Sequence, residues 1–202
     1  MKGRYLASSA GLCGALVLGA CSSVVVTTPA YIDPSYEPAM LSYVAKHGPL
    51  YTQVIGNPFG EQAQIADRVI ATALQDAQFS GRPLTFVTER PADYSSPYKV
   101  IVLFDPAPAA ASGRICANPD QPRAESAGDK VSVMVAFCNG GAAVASISGF
   151  APEAATADAP NFDRLMRQVA TEIFSPRSIE RRDDNGDFEM GWNQAGAQGT
   201  SS

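Results

Sequence analysis

The sequence predicts an α+β fold, with a mainly antiparallel sheet of about 4–5 strands and two amphipathic helices packed on one face. Three observations predict it. Apolar residues recur at helical spacing over residues 61–78, a strand–turn–strand pattern covers residues 130–150, and a second helical stripe ends at residue 174. The strands between the two stripes have no helices among them, which disfavours a parallel, doubly wound sheet.

The first elements are short. Residues 40–46 are predicted as a helix that ends at His47-Gly48-Pro49, and residues 50–55 as a strand. The turn from Gly56 to Gly60 leads into the helix over residues 61–78. Its narrow apolar stripe consists of Ile65, Val69, Ala73 and Ala77, with Leu74 beside it.

Strands are predicted next over residues 84–88 and 98–104. The second is apolar on both faces, which favours a central position in the sheet. Residues 105–113, rich in alanine and proline, and the polar residues 118–129 are predicted as loops.

The strongest strand pattern is a hairpin. Residues 130–138 alternate between apolar and other side chains, and Asn139-Gly140-Gly141 supplies a turn into residues 142–150. The return strand is rich in alanine, serine and glycine, so we expect a large element such as a helix to approach it closely.

The last helix begins after Ala159-Pro160-Asn161 and runs to about Phe174, where Ser175-Pro176 ends it, and it has a wide apolar stripe. Residues 178–202 are acidic and polar and are predicted to be a disordered tail. The predicted organisation is therefore a signal peptide (1–20), a lipidated tether (21–39), a single α+β domain (40–177) and the tail (178–202).

The amino terminus has the layout of a secretory signal. Lys2 and Arg4 precede an uncharged apolar stretch over residues 6–19. This stretch is shorter than the roughly 20 residues that cross a bilayer as a helix, so we expect it to be removed.

The end of that stretch, Leu18-Gly19-Ala20-Cys21, resembles the lipobox of bacterial lipoproteins. The resemblance covers this segment only and implies cleavage before Cys21 and acylation of its thiol and amino group, which would anchor the chain to a membrane. Cys13 fits less well because Leu12 stands where a small residue is expected. The alternative is a secreted protein cut after Ala20, with no lipid.

The residues after Cys21 give two further expectations. Ser22, in place of an aspartate, favours the outer over the inner membrane by the sorting rule of enteric lipoproteins. The proline-rich residues 22–38 are predicted to be an irregular tether with a maximal reach of about 55–60 Å.

Charge and cysteine content narrow the partners and the compartment. Without residues 1–20 the chain keeps 13 basic and 20 acidic residues, so nucleic acid is not an expected partner. Cys116 and Cys138 then remain as a pair, and in an oxidising compartment we expect a disulfide between them. Two buried reduced thiols are the alternative.

No pattern of catalytic, cofactor-binding or metal-binding residues stands out. His47 is the only histidine, which excludes triads and two-histidine metal centres, and it is interpreted as a surface turn residue. The turn from Gly56 to Gly60 lacks the residues of a phosphate loop. The run from Asp183 to Asp187 fails the spacing of a calcium loop. Acids such as Asp67 are assigned to polar helix faces.

The sequence thus favours a non-enzymatic, lipid-anchored envelope protein that faces the periplasm and binds an unknown protein partner or supports an assembly. One alternative is a small-ligand or lipid-binding module with an apolar pocket beneath the strand over residues 142–150. A less favoured one is an envelope hydrolase.

Overall fold

The computed structural model describes residues 24–76, 83–126 and 128–174. Within these residues the chain is α+β, as predicted, with three helices and a sheet of seven strands, three of which are only two residues long. The helices are α1 (Pro38–His47), α2 (Ala63–Gln75) and α3 (Pro160–Phe174). The strands are β1 (Val26–Thr27), β2 (Tyr31–Ile32), β3 (Leu50–Ile55), β4 (Phe86–Val87), β5 (Tyr98–Phe104), β6 (Val131–Asn139) and β7 (Ala142–Ala151).

The sheet is mixed, whereas a mainly antiparallel one was expected. Its order is β1-β7-β6-β5-β3-β4, and β2 also pairs with β7. Strands β5, β6 and β7 are antiparallel to one another, but β3 is parallel to both β4 and β5. The reason is α2, which carries the chain from the end of β3 back to its start, so that β4 begins beside β3 in the same direction.

Both faces of the sheet are covered, which explains the doubly apolar β5. All three helices lie on one face and share a core with β5, β6 and β7. The largest buried side chains of this core include Phe104, Phe137, Phe162 and Phe174. On the opposite face, Ile101 and Leu103 pack with Ile115 of the segment over residues 105–126. The predicted loops are therefore a second, smaller cover of the sheet.

The hairpin between β6 and β7 forms as predicted. Asn139 pairs with Ala142 across the two glycines, and Gly140 takes a φ of 58°, which glycine adopts without strain. The register shifts between Phe137 and Cys138, which produces a β-bulge beside the turn.

The close approach expected at β7 occurs at Gly149. A Cβ built there would lie 2.5 Å from Cδ1 of Leu165, a fully buried residue of α3, and 3.3 Å from Cγ2 of Thr27. The small residues of β7 therefore let α3 lie directly against the strand.

Replacement of Gly149 by alanine should consequently lower the free energy of unfolding by about 1–3 kcal/mol, because Leu165 must leave its position. Urea denaturation measures the change. Gly113→Ala is the matched control, since a Cβ at Gly113 meets nothing within 4 Å. Equal losses in the two variants would contradict this packing.

The segment predicted to be an irregular tether is instead part of the fold from Val26 onward. Val26 pairs with Phe150 and Tyr31 with Ser146, so the segment covers the outer edge of β7. Tyr36 is 5% exposed, and its hydroxyl donates a hydrogen bond to the carbonyl of Ile173 at 3.3 Å. The prolines permit this because Pro29 and Pro34 lie outside β1 and β2, so no hydrogen bond between strands is lost.

Burial raises the pKa of the Tyr36 hydroxyl above its ordinary value. A raised folded-state pKa gives a stability contribution that is complete below the unfolded value, about 10, and is lost as the pH rises beyond it. We expect the free energy of unfolding to fall as the pH rises from about 10 to about 12, and to fall less in Tyr36→Phe. Urea titrations across this range test it. The same relief in Tyr43→Phe, at a 44% exposed tyrosine, would contradict the assignment to Tyr36.

Candidate functional site

A groove rich in tyrosine lies at the end of the sheet where β3 and β5 begin. We call it the tyrosine groove, and its principal residues are Tyr43, His47, Tyr51, Arg90, Asp93, Tyr94 and Lys99. It consists of two adjoining hollows of about 220 and 240 Å³, and Tyr94 and Ser96 line both.

The end of α1 forms one wall. Gly48, with a φ of 123°, and Pro49 end the helix and turn the chain into β3. The Nδ1 of His47 donates to the carbonyl of Tyr43 at 2.7 Å, and the two rings stack with centroids 3.9 Å apart. This pair presents an aromatic surface to the first hollow.

Tyr94 holds the opposite wall in place. Its hydroxyl donates to the carbonyl of Tyr98 and accepts the backbone N–H of Tyr51 at 3.2 Å. The rings of Tyr51 and Tyr94 meet edge to face with centroids 5.7 Å apart. The loop that carries Tyr94 is thereby tied to both neighbouring strands.

The charges of the groove differ between its two hollows. Arg90 and Lys99 line the second hollow, where the Arg90 guanidinium lies 6.0 Å from the centre of the Tyr51 ring. Asp93 lines the first hollow. Each hollow is smaller than the roughly 300 Å³ at which small-molecule pockets begin. Aromatic faces with flanking charge suit the side chains of a partner protein, since tyrosine and arginine are enriched in such interfaces.

The structure describes some of the predicted site residues and not others. Cys21 lies outside the described residues. Cys116 and Cys138 form the expected disulfide, with Cα atoms 5.7 Å apart, and join the segment over residues 105–126 to β6. His47 is exposed, as predicted, but it belongs to the tyrosine groove.

The turn after β3 is the tight strand-to-helix connection that the sequence indicates. The side chain of Asn57 accepts the amide of Phe59 at 3.0 Å and donates to the carbonyl of Gly60. A Cβ at Gly56 would lie 2.7 Å from a guanidinium nitrogen of Arg123. The turn is therefore filled by Asn57 and by Arg123 of the segment over residues 105–126.

Two other expected features give no site. The space beneath β7, where a ligand pocket was considered, is filled by Leu165 against Gly149. A shallow hollow near α2 contains Asp67, and partial burial together with the negative charge of Glu89 raises the pKa of that carboxyl. The run from Asp183 to Asp187 lies outside the described residues.

Within residues 24–76, 83–126 and 128–174, no three His, Cys, Asp or Glu side chains are grouped so that they could hold a metal ion. No helix of the same ranges has the length and apolar character to cross a bilayer.

Comparison with known proteins gives only distant likeness. No family model and no curated protein matches the sequence. Among solved structures, the PelC dodecamer from Paraburkholderia phytofirmans aligns with a TM-score of 0.41 at 14% identity, over 75% of this chain and 98% of that chain. A variant of the same PelC dodecamer aligns with a TM-score of 0.40 at 12% identity, over 76% and 99%. At such scores neither structure indicates what this chain does.

Proposed function

We propose that this chain is a lipid-anchored protein of the cell envelope that binds a protein partner, or supports an assembly, without catalysing a reaction. The observation that carries the proposal is the segment Leu18-Gly19-Ala20-Cys21 behind a basic and then apolar leader. The disulfide supports an oxidising compartment, since such bonds persist outside the cytosol. Ser22 favours the outer membrane.

The tyrosine groove is the proposed partner surface. Tyr43 is one of the few large apolar side chains exposed among the described residues, at 44%, and Arg90 is also exposed. Tyr94 is fixed by two hydrogen bonds, so little conformational entropy is lost when a partner binds. Residues of this kind dominate the energetics of protein interfaces.

A small-ligand module is less well supported. The pocket expected for it lies beneath β7, and Leu165 of α3 fills that position. The hollows of the tyrosine groove are open and small, which favours the side chains of a partner over an enclosed ligand.

Site-specific photocrosslinking in the native envelope tests the proposal. A photoreactive amino acid is placed at Tyr43 or at Arg90, and at Arg164 on the exposed face of α3 as the matched control. We expect the same protein to be captured from both groove positions and not from Arg164. Capture that is equal at all three positions, or absent from the groove, would contradict the groove as the partner surface.

A further inference from the structure

Large apolar side chains are exposed together near the start of the described chain. Of the four that are most exposed in the described residues, three fall between residues 24 and 31: Val24 at 60%, Val26 at 56% and Tyr31 at 51%. Phe150, half-buried, is the register partner of Val26 on β7. We call Val24, Val26, Tyr31 and Phe150 the amino-terminal patch.

The members of the patch share one side of the sheet. Val25, between Val24 and Val26, is buried in the core on the helix side, and Thr27 accepts a hydrogen bond from Gln168 of α3 at 2.8 Å. Because side chains alternate along an extended chain, Val24 and Val26 point away from the helices. Ile32 packs against the helix-side core, so Tyr31 also points away from it.

Covalent geometry limits how far this patch can lie from Cys21. Ser22 and Ser23 separate Cys21 from Val24, and these three steps along the chain correspond to at most about 11 Å. The headgroup layer on one side of a bilayer is about 5–8 Å thick. Since β1 is fixed to β7 from Val26 onward, an anchor at Cys21 brings the patch to the membrane surface.

We propose that the amino-terminal patch rests in the interfacial layer of the bilayer that holds Cys21 and so orients the domain. This inference rests on the proposed lipid anchor. Transfer of valine and phenylalanine side chains out of water lowers the free energy. Tyrosine is suited to the interface because its ring is apolar and its hydroxyl is polar. The contact is apolar, since the acidic chain offers no general attraction to anionic headgroups.

The orientation places the tyrosine groove away from the membrane. Tyr98, at the groove, pairs with Asn139, whereas Phe104 at the other end of β5 pairs with Val133, next to the partner of Phe150. The six steps from Tyr98 to Phe104 span about 20 Å along the strand. The groove is therefore presented to the aqueous compartment while the patch contacts lipid.

Lipid quenching of a single tryptophan tests the contact. Trp192, the only native tryptophan, is replaced by Phe, and a new tryptophan is introduced as Val26→Trp or, as the control, Glu89→Trp. Glu89 is exposed beside β4, at the opposite edge of the sheet from β1. Vesicles of phosphatidylcholine with brominated acyl chains act as the quencher. The Val24→Trp variant serves as a second reporter if Val26→Trp lowers the urea midpoint.

In this experiment the mature chain is attached to the vesicles by its own acyl chains at Cys21. If mass spectrometry shows no acyl chains on the mature chain, Cys21 is instead coupled to a maleimide phospholipid. The coupling is selective because Cys116 and Cys138 are bonded to each other. The mass thus decides the proposed function, and the quenching decides the patch.

We expect the fluorescence of the Val26→Trp protein to fall about two-fold or more on brominated vesicles, as for side chains buried 5–10 Å into the interface. The Glu89→Trp protein should be unaffected, and added salt should not change the quenching. Equal quenching of the two reporters would overturn the inference. Quenching that disappears in high salt would overturn the apolar contact.

Discussion

Phe162→Ala is expected to lower the free energy of unfolding by about 3–5 kcal/mol, the largest loss for a single residue that we predict. Phe162 is fully buried on α3, and its ring centroid lies 4.8 Å from that of Phe59 and 5.9 Å from that of Phe104. It therefore joins α3, the turn before α2 and the central strand. Truncation leaves a cavity that three elements must close at once.

Urea denaturation followed by circular dichroism measures this loss. Arg164→Ala, two residues along the same helix and exposed, is the matched control and should change stability by less than about 0.5 kcal/mol. If Phe162→Ala lies within about 1 kcal/mol of that control, the helix-side core is not packed as described.

Loss of the disulfide is the second large effect. The double variant Cys116→Ala/Cys138→Ala should be less stable by about 3 kcal/mol, because the bond closes a loop with a sequence separation of 22 residues. The bond also holds the segment over residues 105–126 against Ile101 and Leu103, so this segment should open first.

Thermal or urea unfolding of the double variant, with hydrogen exchange of the amides over residues 105–126, measures both effects. Cys21→Ala is the control and should leave the folding stability unchanged, since Cys21 precedes the first strand pair by several residues. Unchanged stability of the double variant, or faster exchange in α3 instead, would contradict the structural role of the bond.

Local patterns predicted several elements well. Strands β3 and β5 have the predicted bounds, and α3 and the hairpin differ by a residue or two at most. In each case a sustained pattern coincides with a stop signal such as Gly or Pro. The parallel pairing of β3 with β5 could not be predicted in this way, because a partner strand is chosen by long-range packing that leaves no local pattern.

The segment after Cys21 shows a different limit of the sequence. Its prolines are typical of an irregular tether, yet Tyr36 packs edge to face on Phe137 and two short strands cover β7. Pairs of two residues are too short to give a periodic signal, and the open edge of β7 that they cover is not visible from the segment itself.

The tyrosine groove could not be predicted either. Tyr43, Tyr51 and Tyr94 come from α1, β3 and the loop before β5, and each alone is an ordinary residue of a helix, strand or loop. Only the parallel start of β3 beside β5 brings them together. The disulfide was predictable because elimination of Cys13 and Cys21 left one pair.

The lipid anchor at Cys21 is the central proposal, and the intact mass of the mature amino-terminal peptide from membrane-purified protein tests it directly. We predict a chain that begins at Cys21 and carries the added mass of a diacylglyceryl group, with or without a third acyl chain. A peptide that begins at an unmodified Cys21, or at another residue, would contradict the lipid anchor.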